Sequence, residues 1–233
     1  MNLTNTGLRI VKDFKRPDKD LIEAFRELPV ANLDDQMNRI SAIDEHIKNV
    51  NSSKLLGTAF TVKVPAGDNL MFHKAMDLAK PGDIIMIDAG GDTKRAILGE
   101  LMVTYLRNRG IAGIVCDGSI RDYEELSQLT DFPVYAKGVT PDGPYKNGPG
   151  EINTPISVGG QTVYPGDIVV GDPDGVVIIR PNEAKDLIER TRKHNEKEQS
   201  IIQTINEKGT FDRPWVDESL DRLKVTYFDY MEY

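Results

Sequence analysis

Between residues 55 and 137 short apolar runs alternate with amphipathic stretches, and this alternation limits the possible folds more than any other feature. LLGTAFTVKVP (55–65) is β-branched and alternates in polarity, the pattern of a strand. DIIMIDAG (83–90) and IAGIVCDG (111–118) are continuous apolar runs that end in glycine, as strands buried on both faces do. FPVYAKG (132–138) reads as a fourth strand. The stretches between them have helical spacing: AGDNLMFHKAMDLAKPGD, capped by Asp68 or Asn69 and stopped before Pro81; 94–109, closed by Gly110; and RDYEELSQL, with its acids in the first turn. Strand–helix alternation of this kind implies parallel βαβ units.

The flanks differ. Residues 18–28 predict an amphipathic helix with Leu21, Ile22, Phe25 and Leu28 on one face, and VANLDDQMNRI predicts a second, capped by Asn32 or Asp34. From 138 to 175 glycine and proline are dense, with short strands between turns. PGDIIMIDAGGD and PGDIVVGDPDG resemble each other, either as a weak internal echo or as one turn–strand–turn device used twice. A charged helix is predicted over 182–208, followed by a tail with the single tryptophan and several aromatics. The expected organisation is a compact α/β domain over 1–208 and a C-terminal extension over 209–233, packed on the domain or on a neighbouring subunit.

The 233 residues carry a formal net charge of -8, so bulk electrostatics give no reason to expect nucleic acid or an anionic membrane as partner. No run reaches the roughly 20 apolar residues of a spanning helix, and no signal-peptide pattern opens the chain. The single cysteine, Cys116, has no internal partner and lies in an apolar run, as a structural thiol would. These features predict a cytoplasmic protein.

The three histidines, His46, His73 and His194, fall on different predicted elements, and neither a zinc-type cluster nor a phosphate or dinucleotide fingerprint is present. Carboxylates, glycine turns and one well-placed arginine remain. Ligands of open α/β sheets gather at the carboxyl ends of strands, here AGGDTK, DGSIRD and KGVTPDG. Asp122 at such an end suits a hard cation, and Arg121 beside it suits a carboxylate or carbonyl oxygen. A surface ion pair that opens a helix is the plainer reading of the same two residues. Asp68 reads as a helix cap, Asp88 and Asp92 as supporting residues, and Asp117 as fixing the turn before Arg121. Lys63, Lys94 and Lys137 raise a Schiff-base alternative, with no sign of a desolvated pocket around any of them.

GELM (99–102), DGSIRD (117–122) and GVTPDGPYKNGPGEINTPISVGGQTVYPGDIVVGDPDGVVIIRP (138–181), in this order, resemble the family of 4-hydroxy-4-methyl-2-oxoglutarate aldolases and regulators of ribonuclease E activity, over roughly residues 30–195. The resemblance implies a compact α/β unit with a swivelling β/β/α layer, assembled as trimers or hexamers with sites between subunits. It implies a metal-dependent (class II) pyruvate aldolase with companion oxaloacetate decarboxylase activity. Asp122 would then bind Mg²⁺ or Mn²⁺, Arg121 the substrate oxygen, and backbone N–H groups of Gly99, Glu100, Leu101 and Met102 the pyruvate carboxylate. It also moves the helix start from 94 to this loop, leaving KRAI as loop, so that the positive end of the helix faces the anion. Glu196 and Glu198 are candidates to orient a water in a neighbouring subunit's site, although both also read as a solvated face.

Two other functions fit the same motifs: a regulator that binds ribonuclease E or another protein without chemistry, and a related lyase on a different oxo acid. The R-D pair does not separate them. The long C-terminal helix favours the enzyme.

Overall fold

A computed structural model describes residues 4–230 and divides the chain into two compact units, 1–192 and 193–233. In chain order the first unit contains β1 (Leu8–Ile10), α1 (Lys19–Glu23), α2 (Val30–Gln36), β2 (Lys48–Asn49), β3 (Leu55–Lys63), α3 (Leu70–Leu78), β4 (Asp83–Asp88), β5 (Ala96–Leu98), α4 (Glu100–Asn108), β6 (Gly113–Ile120), α5 (Tyr123–Ser127) and β7 (Val134–Val139). There follow β8 (Gly150–Ile152), β9 (Ile156–Val158), β10 (Gln161–Val163), β11 (Ile168–Asp172), β12 (Gly175–Ile179) and the start of α6 (Ala184–Lys208). The second unit holds the rest of α6 and α7 (Pro214–Leu223).

Ten strands form one mixed sheet, and β9 and β10 make a separate hairpin. The centre is parallel, β3 beside β4 beside β6 beside β7, as the alternation of strand and helix predicts. On its outer edge β3 is shared: Leu55–Thr58 pair antiparallel with β11, and Val62–Lys63 with β8.

Side-chain alternation divides the apolar strands between two cores. Phe60, Val62, Ile85, Ile87, Ile114 and Cys116 face the cluster beneath α3 and α4. Ala59, Ile84, Met86 and Val115 face the cluster covered by the β9–β10 hairpin. Burial on both faces is the physical reason β4 and β6 read as continuous apolar runs. A third cluster packs Phe25, Leu33 and the first turns of α6 on β11 and β12.

Several boundaries differ from expectation. The helix predicted over 18–28 is regular only at Lys19–Glu23 and continues as turns. Pro29, not Asn32 or Asp34, stands at the N-cap of α2, and Asn32 is buried. Residues 94–109 divide: Lys94 and Arg95 are loop, Ala96–Leu98 are strand, and the helix begins after Gly99. KRAI is therefore half loop and half strand, because β6 outlasts β4 and the chain returns as β5 to pair its last residues. No described helix is long and apolar enough to cross a membrane. In the second unit Phe211, Trp215, Tyr227, Phe228 and Tyr230 are exposed.

Candidate active site

The exchange of partners along β6 builds the site. β4 stays in register with β6 up to Asp88 beside Asp117, and beyond that point β5 takes its place, with Ala96 beside Ser119 and Leu98 beside Ile120. The Arg121 N–H donates to Leu98 O at 3.0 Å. Two chain segments thus end together: β5 runs into Gly99 and α4, and β6 runs into Arg121 and Asp122.

Gly99 is the N-cap of α4, with extended φ -156. Its lack of a side chain is a matter of contact: a Cβ there would collide with Asp122 Oδ2 and come within 2.9 Å of Arg121 Cγ. Asp122 is left-handed at φ 56 and is the N-cap of α5. From that position its Oδ2 accepts the Glu100 N–H at 2.9 Å and lies 3.7 Å from Arg121 Nε. Asp122 therefore caps the start of α4 from outside the helix, where a negative charge is favoured by the helix dipole. Its Oδ1 meets no donor among the described residues. Both side chains are about two-fifths exposed, 44% for Arg121 and 39% for Asp122.

The expected backbone donors are placed unequally. The Glu100 N–H is occupied by Asp122, and the Met102 N–H turns to Gly99 O at 3.2 Å. Leu101 is exposed at the same helix end. Any carboxylate entering at this loop would compete with Asp122 for Glu100, a relationship that the motif alone does not disclose.

The donor chemistry at Asp122 fits a hard divalent cation of the magnesium type, which takes one or two carboxylates and completes its shell with water and substrate oxygens. One carboxylate from this unit is what the geometry offers. The described residues hold one group of two acids and a histidine close enough to share an ion, Asp44, Glu45 and His46. There Asp44 already accepts from His46 and Lys137, and these bonds hold its carboxyl well below the usual range.

Asp68, Asp88 and Asp117 are engaged in internal bonds. Asp68 is buried; its Oδ1 accepts the Leu70 N–H at 2.9 Å, while Oδ2 accepts those of Asn147 at 2.6 Å and Gly148 at 3.1 Å. It is more than a helix cap, since it ties α3 to the loop that passes Arg121. Asp88 and Asp117 accept the Ser157 and Gly159 N–H groups of the hairpin, and Asp88 pairs with Lys63. Lys137 pairs with Asp44 and with Asp117, and both carboxylates raise its pKa, which opposes an amine nucleophile. Burial pushes the Cys116 thiol far up, consistent with an inert core residue. Glu196 and Glu198 belong to the second unit, where Glu196 is exposed and Glu198 lies 3.3 Å from His194 Nε2.

Comparison with known proteins follows the same motifs. The family model RraA-like (Aldolase/RraA) matches residues 30–178. A Halalkalibacterium halodurans protein, provisionally named as a 4-hydroxy-4-methyl-2-oxoglutarate aldolase, is 36% identical over 202 residues, covering 86% of this chain and 96% of that protein. The 4-hydroxy-4-methyl-2-oxoglutarate aldolase of Thermus thermophilus is 32% identical over 112 residues, covering 48% of this chain and 68% of that enzyme. Among solved structures, RraAS2 of Streptomyces coelicolor, described as an unusual member of the RNase ES inhibitor RraA family, superposes with TM-score 0.72 at 27% identity over 79% of this chain and 97% of its own. An uncharacterised Pseudomonas syringae protein shares the fold with TM-score 0.75 at 22% identity, over 84% of this chain and 97% of its own. The chain belongs to the RraA-like (Aldolase/RraA) family.

Proposed function

We propose that the protein is a divalent-metal-dependent lyase that cleaves a 4-hydroxy-2-oxo acid to pyruvate by retro-aldol reaction and also decarboxylates oxaloacetate. The observation that carries this reading is the convergence of Arg121, Asp122 and the N-terminus of α4 at Gly99. The relatives named as aldolases support it. Asp122 would hold Mg²⁺ or Mn²⁺, and the cation when bound supplies a Lewis acid for the 2-oxo acid.

The residues of this chain do the rest. The positive end of α4 at Gly99, Glu100, Leu101 and Met102 attracts the substrate carboxylate, which takes the Glu100 N–H in place of Asp122. As the C3–C4 bond breaks, its electron pair moves into the pyruvate fragment, and negative charge grows on the former keto oxygen. The Arg121 guanidinium stabilises that charge more than the neutral ketone, which is where the rate is gained. The C4 hydroxyl gives up its proton to become the carbonyl of the second product. A water oriented by Glu196 or Glu198 of a neighbouring subunit is the candidate acceptor, so the reading includes self-assembly as a trimer or hexamer, with 209–233 as an extension. Loss of CO₂ from oxaloacetate delivers the same electron pair to the same atoms.

The test is pyruvate release from 4-hydroxy-4-methyl-2-oxoglutarate and from oxaloacetate, with Mg²⁺ and with EDTA. Turnover that EDTA abolishes supports the reading. A well-folded oligomer with no turnover on either substrate contradicts it. That result would favour the second reading, a binding protein without chemistry, to which the description of the Streptomyces relative lends support.

A further inference from the structure

Arg95 precedes β5, the strand whose other end is Gly99. Its Nη1 donates to Gly143 O at 3.2 Å, and its guanidinium lies 4.6 Å over the Tyr145 ring. Its stem runs against Gly67, where a Cβ would come within 2.7 Å of Arg95 Cδ. The platform beneath it is fixed. Tyr145 N–H donates to Gly67 O at 2.8 Å, Asn69 N–H donates to Tyr145 O at 3.0 Å, and Asp68 holds Asn147 and Gly148.

The same glycine meets the candidate active site, because a Cβ on Gly143 would lie 3.3 Å from Arg121 Nη1. Two guanidinium groups therefore flank one peptide. Arg121 has Asp122 as its anionic neighbour. No carboxylate among the described residues forms an ion pair with Arg95, whose guanidinium donates to a neutral carbonyl, Gly143 O. A stacked, preoriented arginine with donors left over is suited to a carboxylate, which it can take at two points.

We infer that Arg95 is a specificity residue that binds the distal carboxylate of a dicarboxylic 2-oxo acid whose reacting end sits at Arg121 and Asp122. This deepens the lyase reading and rests on it. It also explains why the loop 141–148 is anchored so firmly: Gly143 O and the Tyr145 ring orient the guanidinium, and preorientation lowers the entropy cost of binding.

The experiment compares wild type, Arg95→Met and Arg95→Lys on 4-hydroxy-4-methyl-2-oxoglutarate and on 4-hydroxy-2-oxopentanoate, which has the same reacting end without a second carboxylate. In Arg95→Met the ratio of kcat/KM for the dicarboxylate over the monocarboxylate falls roughly tenfold to a hundredfold, the range for losing a hydrogen bond to a charged group. The loss on the dicarboxylate is carried by KM, and Arg95→Lys recovers part of the ratio. Calorimetric binding of 2-oxoglutarate against 2-oxobutyrate moves the same way. An unchanged ratio in an active Arg95→Met protein, or equal losses on both substrates, overturns the role of Arg95 and leaves the lyase reading standing. Wild type that turns over neither substrate overturns the lyase reading and this inference with it.

Discussion

Asp122 Oδ2 accepts the Glu100 backbone N–H at 2.9 Å, so the carboxylate proposed to hold the metal also caps the helix proposed to receive the substrate. One residue links two tasks, and its left-handed backbone allows them to be separated. Glycine at 122 relieves about 1 kcal/mol of left-handed strain while it removes a cap of similar worth. Alanine removes the cap and keeps the strain. Both Asp122→Gly and Asp122→Ala should be inactive, with the alanine variant less stable by about 1 kcal/mol in denaturant titration.

Gly99→Ala tests the close approach of the two loops. The backbone at φ -156 accepts any residue, so the effect comes from the Cβ contact with Asp122 and Arg121 alone. Displacement of that pair should lower kcat/KM by roughly a hundredfold. Crowding should cost about 1–3 kcal/mol of stability. A Gly99→Ala protein with full activity would contradict the close approach of Gly99 to Asp122 and Arg121.

Asp68 is predicted to matter without touching substrate. Asp68→Ala leaves the N–H groups of Leu70, Asn147 and Gly148 without their buried acceptor, a loss of roughly 2 kcal/mol. Amide hydrogen exchange should rise at 145–148 before it rises in β4 or β6. Uniform protection across the variant would contradict the staple.

Glu151 gives a pH signature at the sheet edge. Burial alone would raise its pKa, but the Arg9 hydrogen bonds and the Gly7 N–H outweigh burial and lower it. A carboxylate depressed in the folded state contributes stability that is fully present above its unfolded value, about 4.3, and is lost as pH falls through the folded one. Wild type should therefore lose Tm on acidification below about pH 5 more steeply than Glu151→Gln. Parallel curves would show that the pair contributes nothing to the acid limb.

The central strands, and the junction proposed as the site, were legible in the sequence for a local reason. Burial on both faces writes DIIMID and GIVCDGSI as unbroken apolar runs, and the R-D pair follows the second of them directly. Features that depend on distant partners were not legible. β1 pairs with β8 across 142 positions, and its alternation, Leu8–Arg9–Ile10, is only three residues long, too short to mark a strand. β5 is three residues inside a helix-like pattern and exists because β6 needs a neighbour after Asp117. Asp68 reads as a cap because one of its three bonds is local; the other two reach a loop 79 and 80 residues away. Arg95 gives no signal in KRAI, since Gly143 and Tyr145, which define its setting, lie about 50 residues on.

The most direct measurement is pyruvate release from 4-hydroxy-4-methyl-2-oxoglutarate by wild type and by Asp122→Gly, at saturating Mg²⁺, with both proteins shown to be equally folded. Metal-dependent turnover in wild type and none in Asp122→Gly is the predicted result. Equal turnover in the two proteins would contradict the assignment of Asp122 and move the chemistry away from the Gly99–Arg121 junction.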